Sequence, residues 1–283
     1  MNQESMKELA ILSNRARMGI LTATYHAKSG HPGGSLSAVD VITYLYFREM
    51  QVDPARPQME DRDRFVLSKG HSAPALYAVL ALKGFFPESE LETLRAVGSR
   101  LQGHPDMDRT PGVDFSTGSL GQGISAAVGM ALAAKRMHKC LRVYALLGDG
   151  ELQEGEVWEA MMFAHHYQLD NLCIIIDNNN LQIDGAVDSV MNPYPIKDKL
   201  KAFGLKVLTI NGHSFEEMEN AFKEARETKG TPTAILMATT KGKGVSFMEN
   251  AVGWHGKAPN EQEYDLAMAE IRNKLEQISG GVK

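Results

Sequence analysis

The sequence is poor in cysteine. There are two, Cys140 and Cys173, and their spacing suits neither a metal knuckle nor a redox pair. This excludes a disulfide-stapled secreted fold and fits a reducing compartment, so a cytoplasmic location is expected. Cys173 stands inside the apolar run LCIIID and reads as a core residue. Long hydrophobic runs are missing as well. No apolar stretch nears the roughly 20 residues that a membrane span needs. The opening MNQESMKELAILSNRARMG has no basic region followed by an apolar one, so no secretion signal is expected. A strong excess of one charge is also absent. The net charge is −5 and the lysines and arginines are dispersed, which gives no footing for nucleic acid or an acidic membrane surface.

What is there is enough apolar material for a large core: 283 residues, 43% hydrophobic and 23% charged. Helical and extended patterns alternate. The spacing of Leu9, Leu12, Ala16 and Ile20 predicts a helix over 5–27, and 36–50 reads as another. A short strand, RFVLS, ends at Ser68 and runs into the helix APALYAVLALKG. The stretch from Gly121 to Met137 reads as a helix with a stripe of Ile124, Val128 and Leu132. Strands are expected at 142–147, 172–177, 206–210 and 233–239, with helices between them. Ser214 and Glu217 predict a capping box on a helix over 214–228. A last helix, 260–279, carries Tyr264, Met268, Ile271, Leu275 and Ile278. Segments 181–196 and 241–260 read as long loops, which in compact domains are often functional. No repeat or low-complexity linker divides the chain. The expected fold is α/β, a single domain over 1–283 with a mostly parallel sheet and helices on both faces.

Two motifs thirty residues apart stand out: Gly148-Asp149-Gly150 and Asn178-Asn179-Asn180. Each follows a buried-strand pattern, and the segment between them reads as a helix. That arrangement places an Asp and an Asn side by side at the carboxyl ends of adjacent parallel strands, where open α/β sheets bind ligands. Mg²⁺ takes oxygen ligands and shares them with substrate phosphates. Asp149 offers a carboxylate and Asn179 an amide oxygen. Gly150 lets the backbone approach a phosphate, and the helix that follows presents an anion-favouring amino terminus. Singly, the motifs read equally as a tight turn and a polar loop; the ordered pair points to a cation on a pyrophosphate.

Four of the nine histidines lie in glycine- or proline-flanked loops: His31 in KSGHPGG, His71 in SKGHSA, His104 in QGHPD and His255 in GWHGK. Histidine exchanges protons near neutral pH and donates to phosphate or hydroxyl oxygens. Converging on one cleft, these loops would suit a phosphorylated polyol. His213 precedes a capped helix, and His138, His165 and His166 fall on helical patterns; all four read as structural.

The stretch GDGELQEGEVWEAMMFAHHYQLDNLCIIIDNNNLQIDG resembles the thiamine diphosphate motif in the form transketolases carry it. SGHPGG, DRFVLSKGHSAPALYA, GHPD ahead of STGSLGQG, and KGKGVSFMENAVGWHG resemble the same family, so the likeness runs from near residue 10 to near residue 260. It implies thiamine diphosphate as cofactor and Mg²⁺ (or Ca²⁺ or Mn²⁺) held by Asp149, Asn179 and the backbone oxygen of Leu181. It implies diphosphate contacts from Gly150, His71 and Lys241, and a cofactor-lining segment at Ser119, Leu120 and Gly121. His31 would contact the donor substrate and take part in proton transfer. His104 would handle substrate hydroxyls, and His255 would move protons near the diphosphate. Glu154 would join an acid network between two active sites; read alone, it is simply an acid favourable to a helix amino terminus.

An ordinary transketolase is more than twice as long, and its second portion carries the pyrimidine-binding domain and its glutamate. No candidate for that glutamate is found here. The last helix followed by GGVK reads as a natural end. The resemblance therefore implies the amino-terminal subunit of a split, two-chain transketolase, in an α₂β₂ assembly with a C-terminal subunit. Such an assembly would move a two-carbon ketol unit from a ketose phosphate to an aldose phosphate. Three alternatives stay open at this point: a 2-oxo-acid dehydrogenase component, a relative of deoxyxylulose-phosphate synthase, and a non-catalytic cofactor-binding or regulatory subunit.

Overall fold

The chain is described over residues 1–280 of a computed structural model. In order, its elements are α1 (Gln3–Ala27), α2 (Pro32–Tyr44), β1 (Arg64–Leu67), α3 (Ala73–Lys83), α4 (Gln122–Arg136), β2 (Val143–Gly148), α5 (Gly155–His166) and β3 (Leu172–Asn178). There follow β4 (Leu181–Gln182), β5 (Gly185–Ala186), α6 (Val187–Val190), α7 (Ile196–Ala202), β6 (Lys206–Asn211), α8 (Phe215–Glu227), β7 (Thr233–Ala238) and α9 (Glu261–Gly280).

Five strands form one parallel sheet in the order β1-β2-β3-β7-β6. Their side chains alternate between two cores, as the pleat requires. Phe65, Leu67, Tyr144, Leu146, Cys173, Ile175, Ile235 and Met237 face the helices α1, α2, α3 and α8. Val66, Val143, Ala145, Leu147, Ile174, Ile176 and Leu236 face α4, α5 and α7. The expected α/β fold with helices on both faces is what the chain adopts. Register sets Gly148 beside Asp177 and Asn178 beside Ala238, so the polar residues after each strand emerge along one edge.

Several boundaries differ from expectation for local reasons. Helix α2 begins at Pro32, whose fixed φ suits a first helical position, and passes into a π-turn over Leu45–Glu49. The helix expected after Gly150 is broken: a 3-10 turn covers Gly150–Gln153, Glu154 is extended, and α5 starts at Gly155. The 181–196 loop holds a two-stranded hairpin, β4 with β5, and the short α6. The capping box is half made. Ser214 accepts from the Glu217 backbone N–H, but Glu217 turns back to accept from Asn211 N–H at 2.8 Å. His138 lies past α4 in a left-handed turn rather than on the helix. The reading of the chain's end falls on Gly281, Val282 and Lys283, outside the described residues.

Candidate active site

Four parallel strands deliver the site. The carboxyl end of β1 leads to Lys69 and His71, that of β2 to Asp149 and Gly150, that of β3 to Asn179 and Leu181, and that of β7 to Lys241. These segments, joined by His255, line a cavity of about 170 Å³. Asp149 is 3% exposed and its carboxylate accepts from two backbone N–H groups, Gly150 at 2.8 Å and Asn180. Asn179 Oδ1 accepts from Leu181 N–H at 3.2 Å. The Leu181 carbonyl points back and accepts from Lys241 Nζ at 2.6 Å. The Asp149 carboxylate, the Asn179 amide oxygen and the Leu181 carbonyl are thus drawn together and fixed by local hydrogen bonds.

Under this loop sits a buried polar knot that no motif in the sequence marks. Lys69 Nζ pairs with Asp177 Oδ2 at 2.5 Å and donates to the Gly34 carbonyl at 3.1 Å. Ser37 Oγ donates to the same carboxylate at 2.6 Å, Thr239 Oγ1 donates to its other oxygen, and Asn179 Nδ2 approaches it at 3.3 Å. Burial alone would raise the Asp177 pKa, but Lys69 and these donors hold it below its ordinary value. A second unmarked acid is Glu151. It is 2% exposed and accepts from Ser68 Oγ, Gly121 N–H at 2.9 Å and Gly148 N–H at 3.1 Å. It fastens the ends of β1 and β2 to the start of α4.

Three of the four loop histidines converge. The His71 ring centroid lies 5.3 Å from those of His31 and His255, and His31 to His255 is 5.5 Å. Helix α2 holds His31, which precedes Pro32 as its N-cap. The packing of Gly33 against the Trp254 carbonyl holds the two loops together: a Cβ on Gly33 would lie 2.7 Å from that oxygen. Lys241 Nζ donates to His255 Nδ1 at 2.9 Å, which leaves the proton of the neutral ring on Nε2. Burial, with the nearby cations, pushes His31 down to about 4 and His255 down to about 3. His71 is likewise held well below its ordinary value. At neutral pH the cluster is therefore a set of neutral imidazoles, able both to donate to and to accept from hydroxyl groups.

The remaining expected residues take different positions. Leu120 and Glu154 line the cavity, although Glu154 is also exposed and lies over Gly121. Gly121 caps α4 with φ +84, a value glycine adopts freely. Ser119 and His104 are exposed and lie outside the cavity lining. His104 is at the rim: its ring packs over Gly118, and Tyr77 donates to its carbonyl at 2.9 Å. Of the histidines read as structural, His213 donates through Nδ1 to Asp40 at 2.8 Å and accepts at Nε2 from Thr240 N–H at 2.9 Å.

Among the described residues no three His, Cys, Asp or Glu side chains group as a metal centre. A divalent cation here would have one carboxylate, one amide oxygen and one carbonyl, a hard-oxygen set completed by other oxygens such as those of a diphosphate. The state of Asp149 fits such a cation. Burial and the neighbouring Asp177 push its carboxyl up to about 6, so a positive charge at this point would relieve a carboxylate that lacks a close counterion.

Residues 10–276 match the family described as "Transketolase, thiamine diphosphate binding domain". The chain is 48% identical over 245 residues to a subunit of the 6-deoxy-6-sulfo-D-fructose transketolase of Clostridium sp. (strain MSTE9), covering 87% of this chain and 89% of that one. It is 42% identical over 273 residues to a subunit of the apulose-4-phosphate transketolase of Phocaeicola vulgatus, covering 96% of this chain and 97% of that one. The crystal structure of transketolase from Campylobacter jejuni superposes with a TM-score of 0.87 at 34% identity, covering 96% of this chain but 43% of that one. The chain thus spans nearly the whole of these two relatives and under half of a single-chain transketolase. The family match over residues 10–276 and these relatives show that the chain belongs to the transketolase family, as its thiamine diphosphate-binding subunit.

Proposed function

We propose that this chain and a separately made partner chain form a transketolase that moves a two-carbon ketol unit from a ketose phosphate to an aldose phosphate. The observation that carries the reading is the meeting of Asp149, Asn179, Leu181 and Lys241 in one cavity, beside three neutral histidines. Thiamine diphosphate, when bound, would supply the carbanion chemistry. This chain's residues anchor and orient it. Asp149, Asn179 and the Leu181 carbonyl would hold Mg²⁺, for which Ca²⁺ or Mn²⁺ could substitute, while Gly150, His71 and Lys241 would face the diphosphate. Leu120 and Gly121, with Ser119 beside them, would line the cofactor. His31, His71 and His255 would carry protons to and from substrate hydroxyls, and His104 would meet the sugar at the rim. Glu154, open to solvent at the start of α5, is free to join an acid network across an assembly interface.

The pyrimidine-binding domain belongs, on this reading, to the partner, in an α₂β₂ complex that works in the cytoplasm. No helix among the described residues is long and apolar enough to cross a membrane. That two relatives are named as subunits supports a partner chain, and their sugars, a sulfo-fructose and apulose 4-phosphate, extend the donor class to ketoses with a terminal anionic group. The test is co-purification of the native partner, then a transfer assay with xylulose 5-phosphate and ribose 5-phosphate, thiamine diphosphate and Mg²⁺. The two relatives' sugars serve as further donors. Transfer is expected with the complex and not with this chain alone; a complete complex with no turnover on any donor overturns the proposal.

A further inference from the structure

Lys241 is the one cation of the cavity wall with an unusual set of partners. Its side chain is buried, at 2% exposure for the residue, yet it makes no salt bridge among the described residues. The neighbouring Lys69 is matched with Asp177 at 2.5 Å. A buried ammonium ordinarily needs a counterion. Lys241 instead spends its donors on the Leu181 carbonyl, at 2.6 Å, and on His255 Nδ1, at 2.9 Å. That carbonyl closes the set whose other oxygens, on Asp149 and Asn179, are already fixed by backbone N–H groups. The loop turns through Asn180 at φ +59, a left-handed state that asparagine takes more readily than most residues, and its N–H is held by Asp149.

We propose that Lys241 is a stand-in cation: in the ligand-free chain its ammonium occupies the Leu181 carbonyl in place of a divalent metal, keeps the loop in its binding shape, and yields that oxygen when the metal enters. The proposal rests on the reading of Asp149, Asn179 and Leu181 as the metal-holding set. Two positive charges sharing one carbonyl oxygen repel each other across a few ångströms of poorly screened interior. Metal entry therefore requires the ammonium to swing away. The same movement breaks its bond to His255 and frees that ring's Nδ1, so that filling the cation site also leaves either nitrogen of His255 free to carry the proton. A fixed lysine of this kind explains how the carbonyl stays aimed into the cavity before any ligand arrives, a position a bare backbone oxygen would otherwise lose to solvent.

The test compares the parent chain with Lys241→Met, which keeps length and apolar volume without charge, and with Lys241→Gln, which keeps a neutral donor. Each is titrated with Mn²⁺ alone, followed by electron paramagnetic resonance of the free ion, and melted with and without Mn²⁺. Removing the competing ammonium is expected to tighten Mn²⁺ binding by about tenfold in Lys241→Met. The effect should be smaller in Lys241→Gln, and both variants should melt lower than the parent when ligand-free. If Lys241→Met fails to fold, Lys241→Gln alone carries the comparison. Unchanged or weaker Mn²⁺ binding in the folded variants overturns the proposal, provided Asp149→Asn still abolishes binding in the parent background. If Asp149→Asn leaves Mn²⁺ binding intact, the metal reading itself falls, and the stand-in role falls with it.

Discussion

At the scale of single residues, the site depends on matching buried charges. Asp149 is the one carboxylate of the proposed cation set, so Asp149→Asn should weaken Mg²⁺-dependent binding of thiamine diphosphate by about 100-fold or more, measured by calorimetry. Lys69, on the cavity wall, and Asp177, behind it, act differently, as a buried ion pair. Lys69→Met leaves Asp177 fully buried with no countercharge and should cost about 3–5 kcal/mol in urea unfolding, and the double change to Lys69→Met and Asp177→Asn should recover much of it. This pair was hidden in the sequence. Asp177 ends an apolar run and reads as the tail of a strand, and its partner stands 108 positions earlier. Glu151 was hidden for another reason: among the closely spaced glutamates of GELQEGEV, nothing marks the one that turns inward. Asp149 and Asn179 were legible because a strand pattern ahead of each fixes where it must emerge. The convergence of His31, His71 and His255 was legible from their glycine-flanked loops, whereas His104 shares that loop pattern yet lies outside the cavity lining.

At the scale of elements, the two periodicities that mark the strands and helices also explain where the structure departs from the sequence pattern. Alternation and apolar runs located all five strands of the main sheet because their apolar side chains serve the cores on both faces, and the Leu9, Ala16 and Ile20 stripe located α1. The hairpin β4–β5 is two residues per strand and has no period to read. Ahead of the break at Glu154, the 3-10 turn is tied through Glu151 to Ser68 and Gly121, contacts that no local pattern displays. One test of this joint is Gly121→Ala. The new Cβ would demand a left-handed backbone at φ +84 and would lie 2.9 Å from the Glu154 Cβ, so about 1–2 kcal/mol of stability should be lost in thermal melts. Cofactor affinity should fall as well, since the residue anchors Glu151 and the start of α4.

Across the whole molecule, α1, α2 and the loop after β6 are tied together by one buried polar group, an ion pair joined by a histidine. Arg17 Nη2 meets Asp40 Oδ2 at 2.6 Å and His213 Nδ1 meets the same oxygen at 2.8 Å. Burial by itself would raise the Asp40 pKa, but the Arg17 guanidinium and the His213 ring hold the carboxyl well below the usual aspartate range. A folded-state pKa below the unfolded one contributes stability that is present above the unfolded pKa, near ~4, and is lost as pH falls towards the folded value. Stability of the parent should therefore decline between about pH 5 and pH 3 more steeply than that of Asp40→Asn, as read from urea midpoints across that range. A parallel slope in both proteins would show that other carboxylates carry the acid sensitivity.

The same group reaches further than its own helices. Arg17 Nε donates to the Lys243 carbonyl at 3.0 Å, and His213 accepts from Thr240 N–H at 2.9 Å. The segment bearing Lys241 is thus gripped on both sides by residues that never see the cavity. A lesion in that grip would present as a vitamin-responsive defect: a catalyst that looks impaired at ordinary thiamine diphosphate and recovers when the cofactor is supplied in excess.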